Sequence, residues 1–507
     1  MRNSELDNVT NTNAPQKPTR FLQNPFLWTG TTYFAEGLPF SLVRQISSVF
    51  FKDHNATLQA IGLTSLYGLP WTLKFLWAPF IESVGTKRKW LCLMQLCLMV
   101  VALLMAFAST LPESLKFVAI LFFVMAVLSA TNDIAIDGYY MEALDDDGQA
   151  KFVGYRVMAY RLALIAGAGG IVSLVGKTNW LAGFVLAGII FGVLVIYRQI
   201  YLPRVEIETR PISSIWRSVL SGKNIIITAS AVFFFFIARA LIESDLFKTT
   251  TAPIRPYLDR MSTPDWIGLA LLIVITSLVI AFKPLKRRLE QSNSIVGNSF
   301  ISFLDQPKIK QILLFVILYR AGESLLSSMS TPFILDIGIT KFEFGIISGT
   351  IGTLCSITGT IAGGWLISRY DLIKTIWPIT LAQNLTNVVY MGMAYKFSHL
   401  VGHPELGAAN IGMVGVVHAI DQLAGGLGTA VFVTFLMRTC KKEYKASHFA
   451  IVSGLMSVCG TLMGVVSGFL AASFGYVIFF GLSFLASIPG MILLFHIPFL
   501  RHRLKGR

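Results

Sequence analysis

The sequence predicts an all-α polytopic membrane protein with about fourteen transmembrane helices, in two six-helix halves separated by an additional hairpin. Three observations carry this. Only 14% of the 507 residues are Asp, Glu, Lys or Arg and 54% are apolar, whereas a soluble chain is about 25% charged. Charge-free runs long enough to cross a bilayer recur along the chain. Motifs of the first half return, in order, in the second. This composition excludes an ordinary soluble enzyme, a disordered chain and a nucleic-acid binder. The five cysteines (92, 97, 355, 440 and 459) fall in or beside apolar runs with no metal or redox spacing, and read as small core residues.

A helix needs about 20 mostly apolar residues to cross roughly 30 Å of hydrocarbon. Residues 1–25, rich in Asn, Thr and Pro, are expected to be a disordered cytoplasmic N-terminus without a cleavable signal peptide. The N-terminal half, 26–200, supplies segments near 26–51, 58–81, 90–112, 116–141, 152–175 and 178–197. Region 201–311 reads as basic cytoplasmic linkers around an inserted transmembrane hairpin, 224–282. The C-terminal half, 312–500, continues with 312–335, 344–368, 375–395 and 409–437. Its last stretch, 446–500, has no Lys, Arg, Asp or Glu, is too long for one crossing, and must turn near Ser473-Phe474-Gly475. A short tail, 501–507, is expected in the cytoplasm. Helices are the only reading, because a lone strand in lipid cannot satisfy its backbone and the alternating signal of a membrane barrel is absent.

Basic residues orient the chain. With the N-terminus in the cytoplasm, 28 of the 42 Lys and Arg fall on the cytoplasmic side, eight on the other and six within segments. Both termini are therefore expected inside, and the excess charge faces anionic lipid rather than nucleic acid.

The internal repeat is visible in the charges. Tyr33-Phe34-Ala35-Glu36-Gly37 in the first segment answers to Tyr319-Arg320-Ala321-Gly322-Glu323 in the seventh of the twelve-helix plan. Asn132-Asp133 answers to Ile420-Asp421, and the basic loop from Glu82 to Lys89 to the loop from Arg369 through Asp371 to Lys374. This plan resembles the major facilitator superfamily, whose substrate site lies between parallel six-helix halves.

A charge at mid-bilayer costs about 2.5–3.5 kcal/mol even on a lenient scale, so such residues mark working surfaces or buried ion pairs. Glu36, Asp133, Glu323 and Asp421 occupy segments 1, 4, 7 and 10, and are the candidates for proton coupling. The intramembrane cations are Arg44, Lys74, Arg156, Arg161, Arg239 and Arg320. Arg320 and Glu323, three apart, share a helix face, as do Asp133 and Asp137, four apart. Tyr160, Arg161, Arg320, Asn384 and Gln422 are candidate contacts to a large polar solute. Lys74, Glu82, Asp137, Arg156, Arg369 and Asp371 read as gating or structural charges. The bland alternatives are static ion pairs and, for Asn384 with Asn387, helix-to-helix hydrogen bonds. Glycine clusters such as Gly167-Ala168-Gly169-Gly170 read as close helix approaches. Catalytic signatures fail: Gly176-Lys177-Thr178 lacks the earlier glycine of a phosphate loop, since position 171 is Ile, and no HExxH or GxSxG motif occurs. No enzyme activity, metal or cofactor is expected, and an ion gradient is the expected energy source.

Several separated motifs are similar to those of the AmpG-type muropeptide permeases and the related acetyl-coenzyme A transporters. They are Glu36-Gly37-Leu38-Pro39, Lys74-Phe75-Leu76-Trp77-Ala78-Pro79, Ser129-Ala130-Thr131-Asn132-Asp133-Ile134 with Asp137, Tyr160-Arg161-Leu162, Leu318-Tyr319-Arg320 with Glu323, and Asp421 through Thr429. The resemblance covers about 26–200 and 312–495. It departs at Glu36, where the family commonly has Ser, at Arg320, often Lys, and at Asp421, often Glu. It implies a proton-coupled importer of anhydro-sugar peptides in a bacterial inner membrane, acting as a monomer in contact with lipid. A siderophore, another large organic anion or a coenzyme A thioester are the alternative solutes. A non-transporting sensor or scaffold is the alternative of another class.

Overall fold

The computed structural model describes residues 24–204 apart from 75–76, 79–80, 82–84 and 145; residues 262 and 265–269; and residues 301–496 apart from 441–444. Glu82, Arg239, both termini and, except for the short helical piece 265–269, the inserted hairpin lie outside the described residues.

Twelve predicted segments fall on described residues, and all are helical. α1 comprises Pro25–Ser41, a π turn Leu42–Ile46 and Ser47–Asp53. α2 comprises Leu58–Leu63, a 3-10 stretch Thr64–Gly68 and Leu69–Leu73. α3 is Lys87–Ala108, α4 Ser114–Ala143, and α6 Trp180–Tyr201. Between them α5 runs Asp146–Leu164, π Ile165–Ile171 and Val172–Lys177. In the second half α7 is Ile309–Tyr319 and Ala321–Asp336, interrupted at Arg320. α8 is Lys341–Phe344, π Gly345–Gly352 and Thr353–Tyr370. α9 is Leu372–Lys396 and α10 Ile411–Arg438. The run Lys445–Leu493 bends at Gly475, whose φ of 72° requires glycine, and so divides into α11 and α12 at the turn the sequence predicts.

Local chemistry sets the helix starts. The side chains of Thr86, Asn179 and Asn410 accept from the backbone N–H three residues on, at 3.1, 2.9 and 2.9 Å. Thr340 and Glu343 form a capping box at the start of α8. Among the described residues, eight helices are long and apolar enough to cross a membrane, including α3, α4, α6 and α10. Their outer faces carry exposed apolar side chains such as Phe107, Ile120, Val193 and Ile361. A soluble protein does not present apolar surface on this scale, and lipid is the solvent that accommodates it.

The core shows how the halves meet. At one end of the bundle a single apolar cluster runs through both halves, from Ile46, Phe50 and Phe184 to Phe333, Phe344 and Phe480. Toward the other end, which carries Lys87, Arg88 and Arg369, the core divides. Trp28, Trp90 and Tyr139 pack within the first half, while Phe315, Phe432 and Phe435 pack within the second. Among the described residues, the molecule is therefore sealed at the end remote from the basic loops and parted at the basic end.

Glycines allow the seal. α5 crosses α8 where both are π-helical: a Cβ on Gly349 would collide with the Gly169 backbone, and a Cβ on Gly169 would lie 2.6 Å from the Thr350 hydroxyl. α2 crosses α11 the same way: a Cβ on Gly62 would lie 2.9 Å from the Gly468 Cα. The glycine-rich stretch of α5 thus serves the close approach its composition suggests, and the approach is between halves.

Candidate solute site between the halves

In the first half, acids and cations line up along α1, α2, α4 and α5. Asp133 is buried, with Lys74 Nζ 3.7 Å from its Oδ2. One turn along α4, Asp137 accepts from the Tyr33 hydroxyl at 3.1 Å and lies 3.8 Å from Arg156 Nη1. Arg156 also donates to the Tyr33 hydroxyl at 2.9 Å and sits over the Tyr33 and Tyr140 rings, 4.9 and 5.3 Å from their centroids. Glu36 is half-buried beside this group, and its Oε2 is buried with no hydrogen-bond partner among the described residues. The shared face of Asp133 and Asp137 resolves into two separate pairings, with Lys74 and with Arg156.

Arg198 tells a different story from the sequence, which counts it among the basic residues of the cytoplasmic side. It is fully buried. Its Nη1 donates to Gln95 Oε1 at 3.0 Å, to Asn132 Oδ1 at 3.3 Å and to the Leu91 carbonyl at 3.3 Å, and its Nη2 donates to the Thr32 carbonyl at 3.4 Å. The C-terminal turn of α6 turns this side chain inward, where it joins α1, α3 and α4.

In the second half, Arg320 stands at the break in α7 and donates from Nε and Nη2 to both oxygens of Glu323, at 2.8 and 2.7 Å. This is the fork geometry that makes an Arg–carboxylate pair strong. Gln383 Nε2 donates to the same carboxylate at 2.5 Å. Asp421 is buried with no cation in ion-pair range among the described residues, taking hydrogen bonds from Thr386 at 2.8 Å and Gln422 at 3.3 Å. Asn384 is buried against α9's own backbone, donating to the Thr380 carbonyl at 2.9 Å, while Asn387 takes the Ser483 hydroxyl at 2.7 Å. Both asparagines bond within the second half. Arg369 stacks on Trp365 and Tyr370 at the basic end, and Asp371 caps α9 and pairs with Arg438 at 2.8 Å.

Two adjoining cavities, of about 330 and 300 Å³, occupy the space between the halves. Phe40, Arg44, Ser327 and Ser328 line both. The larger adds Gln45, Thr64, Ser330, Thr331, His418 and Gln422. The smaller adds Trp71, Arg320, Ser324 and Thr461. The four predicted coupling acids are not in these walls but stand behind them, Glu323 behind Arg320 and Asp421 behind Gln422. Tyr160 packs at a tilt against Phe40, with ring centroids 5.9 Å apart. Arg161 lines a separate, mainly apolar crevice between α5 and α8, with Met158, Leu162, Leu354 and Ile361.

Sequence reasoning gave no solute role to Arg44, Gln45, His418 or the α7 hydroxyls. The signal for the last was present: Ser324, Ser327, Ser328 and Thr331 recur at three- and four-residue spacing, a polar stripe on an otherwise apolar helix. Among the described residues no group of three or more His, Cys, Asp or Glu is placed to hold a metal.

The sealed end carries its own charges. Lys52, at the end of α1, pairs with Asp336, at the end of α7, at 2.5 Å. Asp53 pairs with Lys341, at the start of α8, at 2.8 Å. Trp180 Nε1 donates to Asp53 at 2.6 Å and the Tyr476 hydroxyl to Asp336 at 2.7 Å. Lys177 lies 4.2 Å from the centre of the Phe342 ring. Each of the two ion pairs joins one half to the other.

Two six-helix halves sealed at one end, parted at the other and enclosing a polar cavity are the architecture of an alternating-access membrane transporter. The chain belongs to the Major Facilitator Superfamily, whose family model matches residues 29–298, more than half of its length. It is 26% identical to the anhydromuropeptide permease of Escherichia coli K12 over 467 residues, 91% of this chain and 77% of that one. An uncharacterized protein of Haemophilus influenzae is 26% identical over 469 residues, covering 92% of each chain. Among solved structures, the peptide transporter POT in complex with sulfate covers 96% of this chain with 95% of its own, at 14% identity and a TM-score of 0.62. That likeness concerns the fold. The permease relative agrees with the AmpG-type resemblance read from the motifs, and a transporter of this family binds a small-molecule solute.

Proposed function

We propose that this protein is a proton-coupled importer of cell-wall-derived anhydromuropeptides in a bacterial inner membrane, with its basic end in the cytoplasm. The observation that carries the solute class is the polar cavity between the halves, large and hydroxyl-lined, in a chain alignable over 91% of its length with a named anhydromuropeptide permease. A sugar peptide offers hydroxyls, amides and carboxylates, which hydroxyl, amide and guanidinium side chains recognise.

The coupling reading rests on the buried acids. Glu323 neutralises Arg320, so a proton on Glu323 would release Arg320 toward the smaller cavity. Asp421 and Asp133 are buried carboxylates on two further cavity helices. Exposing such a group alternately to the two sides couples proton entry to rocking of the halves. A proton crossing the membrane gains roughly 2.3 kcal/mol per 100 mV, enough for about a fiftyfold gradient of an uncharged solute.

The test is uptake of the radiolabelled anhydro-disaccharide into vesicles that carry only this permease. Saturable uptake that collapses with an uncoupler is expected, and ATP depletion at a maintained gradient leaves it unchanged. Vesicles that ignore the disaccharide and accumulate a ferric siderophore under the same gradient would move the solute to the alternative.

A further inference from the structure

The intramembrane cations differ in what neutralises them. Arg320 is held by both oxygens of Glu323. Lys74 has Asp133, and Arg156 has Asp137 with two aromatic rings. Arg44 has no carboxylate within ion-pair range among the described residues. Its one hydrogen bond there runs from Nη1 to the Ser65 carbonyl at 2.9 Å. It sits in the π turn of α1, where the extra residue per turn alters the facing of side chains, and it lines both cavities.

Arg44 is half-buried in the cavity wall, and a guanidinium keeps its proton at any physiological pH, so it stays charged there. A charge held partly out of water without a counter-charge favours an anionic ligand. Arg44 shares the cavity walls with the hydroxyl residues Ser327, Ser328 and Thr461. On the other half, His418 lines the same larger cavity. Its Nδ1 is bonded to the Tyr390 hydroxyl at 2.8 Å, while Nε2 is buried without a hydrogen-bond partner among the described residues. The ring is 3% exposed and lies one turn before Gln422. The Tyr390 hydroxyl can donate or accept, so it fixes the ring, whose Nε2 lies beside Gly352 at the edge of the cavity and keeps an unused hydrogen-bonding position.

We propose that Arg44 is the oxyanion subsite of the central cavity: it holds a carboxylate of the solute, while His418 Nε2 holds a neutral polar group of the same molecule from the opposite half. The subsite rests on reading this cavity as the solute site. It assigns the carboxylate to Arg44 rather than to Arg161, which faces the apolar crevice, or to Arg320, which Glu323 already occupies. A ligand bridging α1 and α10 also binds the two halves together, which is how a solute biases their rocking.

The experiment compares acids with their uncharged esters on the purified full-length protein in nanodiscs, read by Trp71 fluorescence and thermal shift. The first probe pair is N-acetyl-1,6-anhydromuramic acid and its methyl ester. The second, independent of the muropeptide reading, is N-acetylneuraminic acid and its methyl ester. Wild type is expected to prefer acid over ester. Arg44→Gln loses about ten- to a hundredfold in affinity for the acid and almost none for the ester. Arg44→Lys retains part of the preference, which separates loss of charge from loss of fold. His418→Phe weakens acid and ester alike. If wild type ignores the anhydro acid and binds neuraminic acid in an Arg44-dependent way, the subsite stands and the muropeptide reading fails. If Arg44→Gln binds the anhydro acid as tightly as wild type, the subsite is refuted and that reading stands. Absence of an acid-over-ester preference in wild type for both pairs also refutes the subsite.

Discussion

Neutralising the sealed end should open it. The double variant Asp53→Asn, Asp336→Asn removes both ion pairs between the halves, Lys341–Asp53 and Lys52–Asp336. The four side chains are 18–29% exposed, so each pair belongs near the upper part of the surface range, roughly 0.5–1 kcal/mol. The Trp180–Asp53 and Tyr476–Asp336 hydrogen bonds each lie within one half, so they position the carboxylates and do not count toward the seal. Together the two pairs contribute about 1–2 kcal/mol, and the ratio of sealed to open molecules should fall by a factor of roughly 5 to 30. Spin labels at Thr110 and His399, both exposed in loops of the sealed end on opposite halves, report this as a distance distribution. Wild type is expected to give mainly the short distance, and the double variant a substantial longer population. The swap Asp53→Lys, Lys341→Asp should restore the short distance. An unchanged distribution in the double variant would refute the reasoning. It would mean that the apolar seal of Phe50, Phe333 and Phe480 and the glycine crossings hold the end closed without the charges.

Further outcomes follow from the same geometry. Glu323→Gln leaves the Arg320 fork without its counter-charge and should abolish accumulation against a gradient while sparing downhill exchange, measured as concentrative uptake against counterflow. Asp421→Asn, tested in the same assay, keeps the hydrogen-bonding shape at Thr386 and isolates the role of the charge. Gly349→Leu places a side chain into the Gly169 backbone and should prevent sealing, shifting the Thr110–His399 distance to the long form and stopping transport. Arg198→Leu strips buried partners from Gln95 and Asn132, and should lower the unfolding midpoint by the equivalent of about 3–5 kcal/mol, with loss of folded protein on size exclusion.

The sequence by itself determined the parts of this protein that depend on a run of neighbours. Charge-free stretches become helices because lipid leaves the backbone no other partner. The turn at Gly475, the caps at Thr86, Asn179 and Asn410, and the Arg320–Glu323 pair are set by residues within a few positions of each other, so local spacing sufficed. The six-plus-six plan was legible because each half repeats its acids at the same depth. Pairing across long separations was not legible. Asp133 takes Lys74, Asp137 takes Arg156 and Tyr33, and Lys52 takes Asp336, choices among many acids and bases whose distances exist only after the helices pack. Arg198, which the sequence counts only among the cytoplasmic basic residues, is buried in the last turn of α6. A terminal turn points a side chain outward or inward according to its neighbours, and here Gln95 and Asn132 receive it. The same limit hid the solute wall. Arg161 and Arg44 are both arginines in apolar helices. Only the crossing of α5 with α8, and the π turn in α1, send the first to an apolar crevice and the second to the central cavity, because the face a helix presents to its neighbours is fixed by packing and not by composition.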